Sequence, residues 1–156
     1  MSPIKNRNLG HFTPGVDSPG WLMWEMTLLW KRKLDQKLEK YDLTNYQVMI
    51  LRALLQVTQN GDVVNQAELA DYLRTNVMMT SNVLRTLEKK NLVSRQPHPS
   101  DTRAKVIVLT EQGIEMAEKG LQEIITLNQE IFGKSEQISS QLVQNLKQLL
   151  DLNIEN

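Results

Sequence analysis

"NVMMTSNVLRTLEKKNLVSRQPHPSDTRAKVIVLT", residues 76–110, decides the fold, because a helical pattern is followed directly by a hairpin pattern. Apolar side chains at helical spacing predict a helix over 76–90. Asn91 follows it and tolerates the left-handed conformation that ends helices. The segments 93–96 and 105–109 favour strands, and the proline-containing tip between them predicts a β-hairpin.

Two predicted helices precede this unit. Thr44 is a candidate cap for a helix over about 45–57. Asn65, with an acid three residues later, resembles a capping box before a short helix over about 66–73. Two short helices followed by a hairpin make a winged helix-turn-helix, and we assign 44–109 to this lobe.

The flanking segments predict a mainly α protein with a small β-hairpin wing. Residues 1–17 show no periodicity and are assigned to a flexible N-terminal arm. Ser18 and the proline after it predict a capped helix start. The first half of this helix is apolar nearly all round and needs burial on every side, so a partner chain is implied. We therefore assign 18–43 to an N-terminal dimerisation helix and 110–156 to C-terminal dimerisation helices.

Composition excludes several classes of protein. Among 156 residues, 40% are apolar and none is cysteine, which rules out disulfides, cysteine-based zinc sites and thiol nucleophiles. With two histidines and no glycine-rich phosphate loop, we predict neither an enzyme nor a cofactor or metal site. The apolar run 21–30 contains Glu25 and is shorter than the about 20 residues that span a bilayer. No signal peptide is recognisable, so a soluble cytoplasmic protein without a membrane partner is expected.

The formal net charge of zero is a cancellation between segments. Residues 74–105 carry seven basic and two acidic side chains, a net charge of +5. Residues 110–156 carry three basic and eight acidic side chains, a net charge of −5. A local basic segment indicates a nucleic-acid site, although a solvated surface would carry similar clustering.

The predicted helix 76–90 has two faces. One is apolar and suits a core, whereas the other carries short hydrogen-bonding groups, a guanidinium and one exposed methionine. These residue types contact base edges in the major groove. A plain solvated helix would more often show Glu and Lys pairs four residues apart. The candidate DNA-reading residues are Met78, Ser81, Asn82, Arg85 and Lys89.

The hairpin tip adds a second candidate contact. Arg103 lies on a short loop stiffened by Pro97 and Pro99, and a cation on a narrow projection suits the minor groove. Asp101 either orients Arg103 or pairs with a basic residue of the helix, and the sequence leaves both open. His98 is a candidate phosphate contact. The alternative is an ordinary surface turn.

The stretch "NQAELADYLRTNVMMTSNVLRTLEKKNLVSRQPHPSDTRAKVIVLTEQG", residues 65–113, resembles the winged helix-turn-helix core of the MarR family of bacterial transcription regulators. The acid and base before an apolar strand ending in "LTEQG" are the most specific part. "LTNYQVMILRALL" resembles the preceding helix, and the resemblance covers about residues 18–150.

The resemblance implies a homodimer joined through its terminal helices, with 76–90 in the major groove and Arg103 in the minor groove. It further implies that DNA affinity is lost when a small, often aromatic or phenolic, molecule binds between the dimer helices and the DNA-binding lobe. The net charge of +5 and the two-faced helix lead us to expect a dimeric repressor of a pseudo-palindromic operator. Where the family often has glycine before the recognition helix, this chain has Arg74 and Thr75, and Arg74 is a candidate phosphate contact. The absence of cysteine excludes the family's cysteine-based peroxide sensors.

Aromatic and methionine side chains supply candidate effector contacts. Such clusters at helical spacing are more often plain core or a dimer interface. His11 in the arm is a weak candidate ligand. The candidate effector-binding residues are Trp21, Trp24, Trp30 and Met49.

A winged helix used only for protein contacts is the alternative function. It predicts no salt-dependent affinity for DNA. The polar outer face of 76–90 argues against it, because protein interfaces favour aromatic anchors.

Overall fold

A computed structural model of the chain describes residues 18–100 and 103–154. The predicted arm, with His11, and Asp101 lie outside the described residues. The described part consists of six helices, one 3-10 turn and one antiparallel hairpin. The elements are α1 (Pro19–Leu38), a 3-10 turn (Glu39–Tyr41), α2 (Asn45–Gln59), α3 (Gln66–Tyr72), α4 (Val77–Lys89), β1 (Val93–Pro97), β2 (Lys105–Leu109), α5 (Glu111–Phe132) and α6 (Glu136–Ile154).

Helix ends follow the predicted caps, with one exception. The Thr44 hydroxyl accepts from the Gln47 amide, and the Gln47 side chain accepts from the Thr44 amide. Asn91 has a φ of 57°, the predicted left-handed stop. Ser18 occupies the N-cap position of α1, but its hydroxyl makes no capping hydrogen bond, so that part of the prediction is wrong. Proline at the first helical position lacks an amide hydrogen and leaves one donor fewer to cap.

The core lies where α1, α2, α4 and α5 meet. Burying a leucine fully stabilises the fold by about 1.5–3 kcal/mol, before cavity terms are counted. Leucines on five helices therefore hold the lobe and the flanking helices together. The fully buried ones are Leu34, Leu38, Leu51, Leu54, Leu69, Leu84, Leu87 and Leu127.

Helices α1 and α5 are also joined by polar contacts. Trp30 donates from Nε1 to Asn128 Oδ1 at 2.9 Å, and Lys37 pairs with Glu130 at 2.7 Å. Glu123 accepts from Lys40 at 2.7 Å. These contacts fix the direction of α1 relative to α5.

Apolar side chains remain exposed at both ends of the chain. Trp24 is 57% exposed on the first half of α1, and Ile138 is 71% exposed on α6. Thus the predicted burial of α1 on every side is not achieved within this chain. No helix among the described residues is long and apolar enough to cross a membrane. The exposed apolar residues of α1 and α6 are Trp21, Leu22, Met23, Trp24, Met26, Leu28, Ile138, Leu142, Val143, Leu149, Leu150 and Leu152.

Candidate nucleic-acid interface

The turn between α3 and α4 is fixed by hydroxyl groups. Thr75 Oγ1 lies 2.8 Å from Thr80 Oγ1, and it also donates to the carbonyl of Ala70 at 3.3 Å. Thr80 is buried, and its hydroxyl donates to the carbonyl of Asn76. Because each buried hydroxyl has a partner, the turn holds α4 at a set angle to α3 without an unpaired polar group.

Helix α4 has the two predicted faces. Thr80, Leu84 and Leu87 are buried against the lobe. The Asn76 side chain accepts from the Met78 amide at 2.8 Å and caps the helix. The opposite face presents all five candidate residues: Met78 at 74% exposure, Asn82, Arg85 and Lys89 exposed, and Ser81 half-buried.

The wing is a five-residue antiparallel ladder running from the Val93–Leu109 pair to the Pro97–Lys105 pair. Val106 and Ile107 are buried and anchor β2, and the Ile107 amide donates to the carbonyl of Val64 at 2.9 Å. This anchoring leaves the far end of the hairpin projecting from the lobe.

Arg103 and His98 flank the projecting end of the wing. The His98 amide donates to the Ala104 carbonyl at 3.0 Å, which closes the ladder below the tip. The His98 ring accepts at Nδ1 from the Ser100 amide at 3.2 Å. Arg103 is exposed, as a groove contact requires.

Known proteins share the helix-turn-helix and wing described above. The model of the MarR family matches residues 43–105. The HTH-type transcriptional regulator YdcH of Bacillus subtilis is 38% identical over 133 residues, which cover 83% of this chain and 90% of YdcH. The chain belongs to the MarR family.

Two solved complexes with DNA resemble this MarR-family chain. The Staphylococcus aureus MepR–DNA complex superposes with a TM-score of 0.77 at 33% identity, covering 87% of this chain and 98% of MepR. A cysteine-to-serine mutant of Escherichia coli MarR complexed with operator DNA gives 0.74 at 25% identity, covering 84% of this chain and 92% of MarR. The chain is therefore a winged helix-turn-helix, DNA-binding transcription regulator, and its relatives are regulators rather than enzymes.

Arg74 lies in the turn before α4, where the resemblance to the family leads one to expect glycine. Its φ is 50°, in the left-handed region that side chains other than glycine adopt at a cost. The side chain is exposed at the start of α4. A backbone conformation that favours glycine is thus adopted here by arginine, which adds a cation beside the recognition helix.

The candidate effector residues do not form one cluster. Trp30 lines an open apolar groove of about 590 Å³ between α1 and α6, together with Met23, Met26 and Leu142. Met49 lines a separate cavity of about 130 Å³ between α2 and α4. Trp21 and Trp24 lie on the first half of α1 with half or more of their surface exposed.

One polar contact of the interface has no counterpart in the sequence-based prediction. Arg95 on β1 donates from Nε to Glu88 on α4 at 3.0 Å and from Nη2 to Gln66 on α3 at 3.2 Å. The sequence displays these residues, but their partnership depends on how the wing folds back on both helices. The sequence pattern that could have indicated this contact is a basic residue, Arg95, seven positions after an acidic residue, Glu88, with the end of α4 between them.

Proposed function

We propose that this chain is a homodimeric repressor that binds a pseudo-palindromic operator and is released by a small aromatic effector. In each protomer α4 enters the major groove and the wing approaches the adjacent minor groove. Two protomers related by a two-fold axis would bind half-sites about one helical turn apart. A cytoplasmic location follows from DNA as the partner.

The division of α4 into two faces is the observation that carries this proposal. Its outer face combines Asn82, Arg85 and an exposed methionine, which suit adenine, guanine and the thymine methyl group respectively. The buried face fixes the helix by leucine packing, so these side chains are presented on a rigid element. Arg103 supplies a second contact at a distance from the helix.

Homodimerisation is supported by the exposed apolar surface at both chain ends. Large exposed apolar patches mark interaction surfaces, and a second copy of the chain is the partner that we propose here. Trp24 and Ile138 would lose this exposure if the terminal helices of two copies packed together. The groove between α1 and α6 would then be closed in part by the partner.

Effector release is supported by the chemistry of the groove that Trp30 lines. Its walls are methionine, leucine, tryptophan and phenylalanine side chains, and its volume suits a small aromatic molecule. MepR is a transcription regulator of a multidrug efflux pump in Staphylococcus aureus, and for the present chain we expect release by apolar compounds.

Selection of bound sequences from random DNA tests the proposal most directly. We expect a pseudo-palindromic consensus, and binding that weakens steeply as salt rises. Arg85→Ala and Arg103→Ala should each reduce affinity for that consensus by about tenfold, since a good base contact contributes about 1–3 kcal/mol. Lys119→Ala on α5 is the matched control and should leave affinity unchanged. Recovery of no sequence, or unchanged affinity in both arginine variants, would contradict the proposal.

A further inference from the structure

Three polar side chains meet at the base of the wing, one from strand β1 and one from each of the two helices α3 and α4. Arg95 of β1 reaches Glu88 near the end of α4 at 3.0 Å. The same guanidinium reaches Gln66, the first residue of α3, at 3.2 Å. Glu88 and Arg95 each keep about 30% of their side-chain surface exposed. One guanidinium therefore joins the wing to both helices.

The chemistry of arginine suits this bridging position. Its planar fork donates in two directions at once, whereas a lysine ammonium acts as a single flexible point charge. A partly exposed ion pair contributes little to the stability of a fold. A bridge that contributes little to stability can still fix the orientation of strand β1, because it joins that strand to two different helices at once.

We propose that Arg95 is a positioning residue for DNA binding. Through Glu88 and Gln66 it holds the wing at one angle to α4, so that Arg103 and the recognition helix reach adjacent grooves in a single register. The inference rests on the proposed function, in which both elements contact one duplex. On this inference, Glu88 increases DNA affinity by orienting the wing, although its negative charge repels the DNA phosphates.

A direct phosphate contact by Arg95 is the competing explanation, and the charge of Glu88 separates the two. If Arg95 acts on phosphate, Glu88→Gln removes a repulsive carboxylate and frees the guanidinium, so affinity rises. If Arg95 acts by positioning, the same substitution weakens the bridge, so affinity falls although the protein has become more positive. The two explanations predict changes of opposite sign.

The experiment measures Kd for the selected operator at several salt concentrations. We expect Glu88→Gln and Arg95→Ala to weaken binding by about threefold to tenfold, the usual size of coupling within a polar network. Arg103→Ala should cost less in the Arg95→Ala background than in the parent chain. The charge-swapped pair Glu88→Arg with Arg95→Glu restores an ion pair at unchanged net charge, and it should bind more tightly than the equally charged pair Glu88→Gln with Arg95→Gln, which has no ion pair.

Glu115→Gln is the matched control, because it breaks the Lys119–Glu115 pair on α5 and changes net charge by the same amount. It should leave Kd unchanged, and melting curves should show all variants folded. Equal or tighter binding by Glu88→Gln, with additive effects of the two arginine variants, would overturn this inference alone. Absence of salt-dependent binding by the parent chain would instead overturn the proposed function, and this inference with it.

Discussion

Gly113 lies directly against the backbone of Leu92, so that a β-carbon on Gly113 would stand 1.9 Å from the Leu92 carbonyl oxygen. The same carbonyl accepts from the Thr110 amide at 3.1 Å. Thr110 in turn caps α5 by accepting from the Gly113 amide at 2.9 Å. The first turn of α5 is thereby locked to the junction between the recognition helix and the wing.

Gly113→Ala should therefore destabilise the protein strongly, since backbone cannot move aside as a side chain can. We expect a loss of about 3 kcal/mol or more in the free energy of unfolding, at the upper end of overpacking costs. Urea denaturation measures it. Gly20→Ala in α1 is the control, because nothing lies within 4 Å of its added β-carbon, and its stability should be equal or slightly higher. A Gly113→Ala variant as stable as the parent would contradict this close approach.

Gly120 makes a softer contact, with Val48 on α2. A β-carbon there would lie 2.7 Å from Val48 Cγ1, which is side chain rather than backbone. Gly120→Ala should destabilise by about 1–3 kcal/mol. Combining it with Val48→Ala should cost less than the two changes summed, with a coupling of about 0.5–3 kcal/mol measured by a double-mutant cycle. Simple additivity would show that the helices separate instead.

Substitutions at Arg74 should change stability and DNA affinity in different directions. Arg74→Gly should maintain or raise the free energy of unfolding by up to about 1 kcal/mol, because glycine accepts a φ of 50° without strain. It should also lower operator affinity and reduce the slope of log K against log salt by about 0.9, the value for one phosphate contact. Arg74→Asn, which also tolerates this φ, should show the same loss in slope. An unchanged slope in both variants would remove Arg74 from the interface.

The Lys40–Glu123 pair predicts a pH dependence of stability. The hydrogen bond from Lys40 lowers the pKa of Glu123 below its ordinary value of 4.5. The reciprocal bond raises the pKa of Lys40 above 10.5. The contribution of Glu123 to the free energy of unfolding is therefore fully present above pH 4.5 and is lost as pH falls through its lowered pKa. The contribution of Lys40 is fully present below pH 10.5 and is lost as pH rises through its raised pKa.

Unfolding of the parent and of Glu123→Gln should be compared across this range. The parent should be the more stable at neutral pH. The difference should shrink as pH falls below about 4.5, because the unfolded state then binds a proton at Glu123 before the folded state does. A difference that stays constant from neutral to acid pH would show that the ion pair contributes no stability.

A charged substitution at Leu142 tests whether the chain forms a dimer through α1 and α6. It lines the groove between α1 and α6 and is 38% exposed in the single chain. Leu142→Glu places a charge on this apolar surface, and we expect monomers in sedimentation equilibrium with operator affinity lowered by at least about tenfold, because linked half-site binding is lost. Gln148→Glu adds the same charge to an exposed position of α6 and should remain dimeric. A Leu142→Glu variant that stays dimeric would exclude this surface from the interface.

Local chemistry made much of this fold predictable. Thr44, Asn65 and Asn76 act on amides two or three residues away, so their caps can be recognised without knowing the tertiary structure. The outer face of α4 follows from helical periodicity alone. Ser18 shows the limit of such rules, since a favoured residue occupied the right position without making the bond.

Relationships between distant segments were not predictable in this way. The glycine of "LTEQG" was visible in the sequence, but its need to be glycine depends on Leu92, which approaches only in the folded chain. The bridge made by Arg95 similarly depends on the path of the wing. Met49 and Trp30 share an apolar character, yet the helices that carry them place them in different cavities.

The hydrogen bond from Ile107 to Val64 gives the wing a mechanical division. An isolated two-stranded hairpin is marginally stable, but this bond ties β2 to the segment before α3 and to the core beneath it. The base of the wing therefore moves with the lobe. Because the root of the hairpin is fixed in this way, its orientation relative to the recognition helix is fixed too, and DNA whose groove widths match that orientation should be bound more tightly.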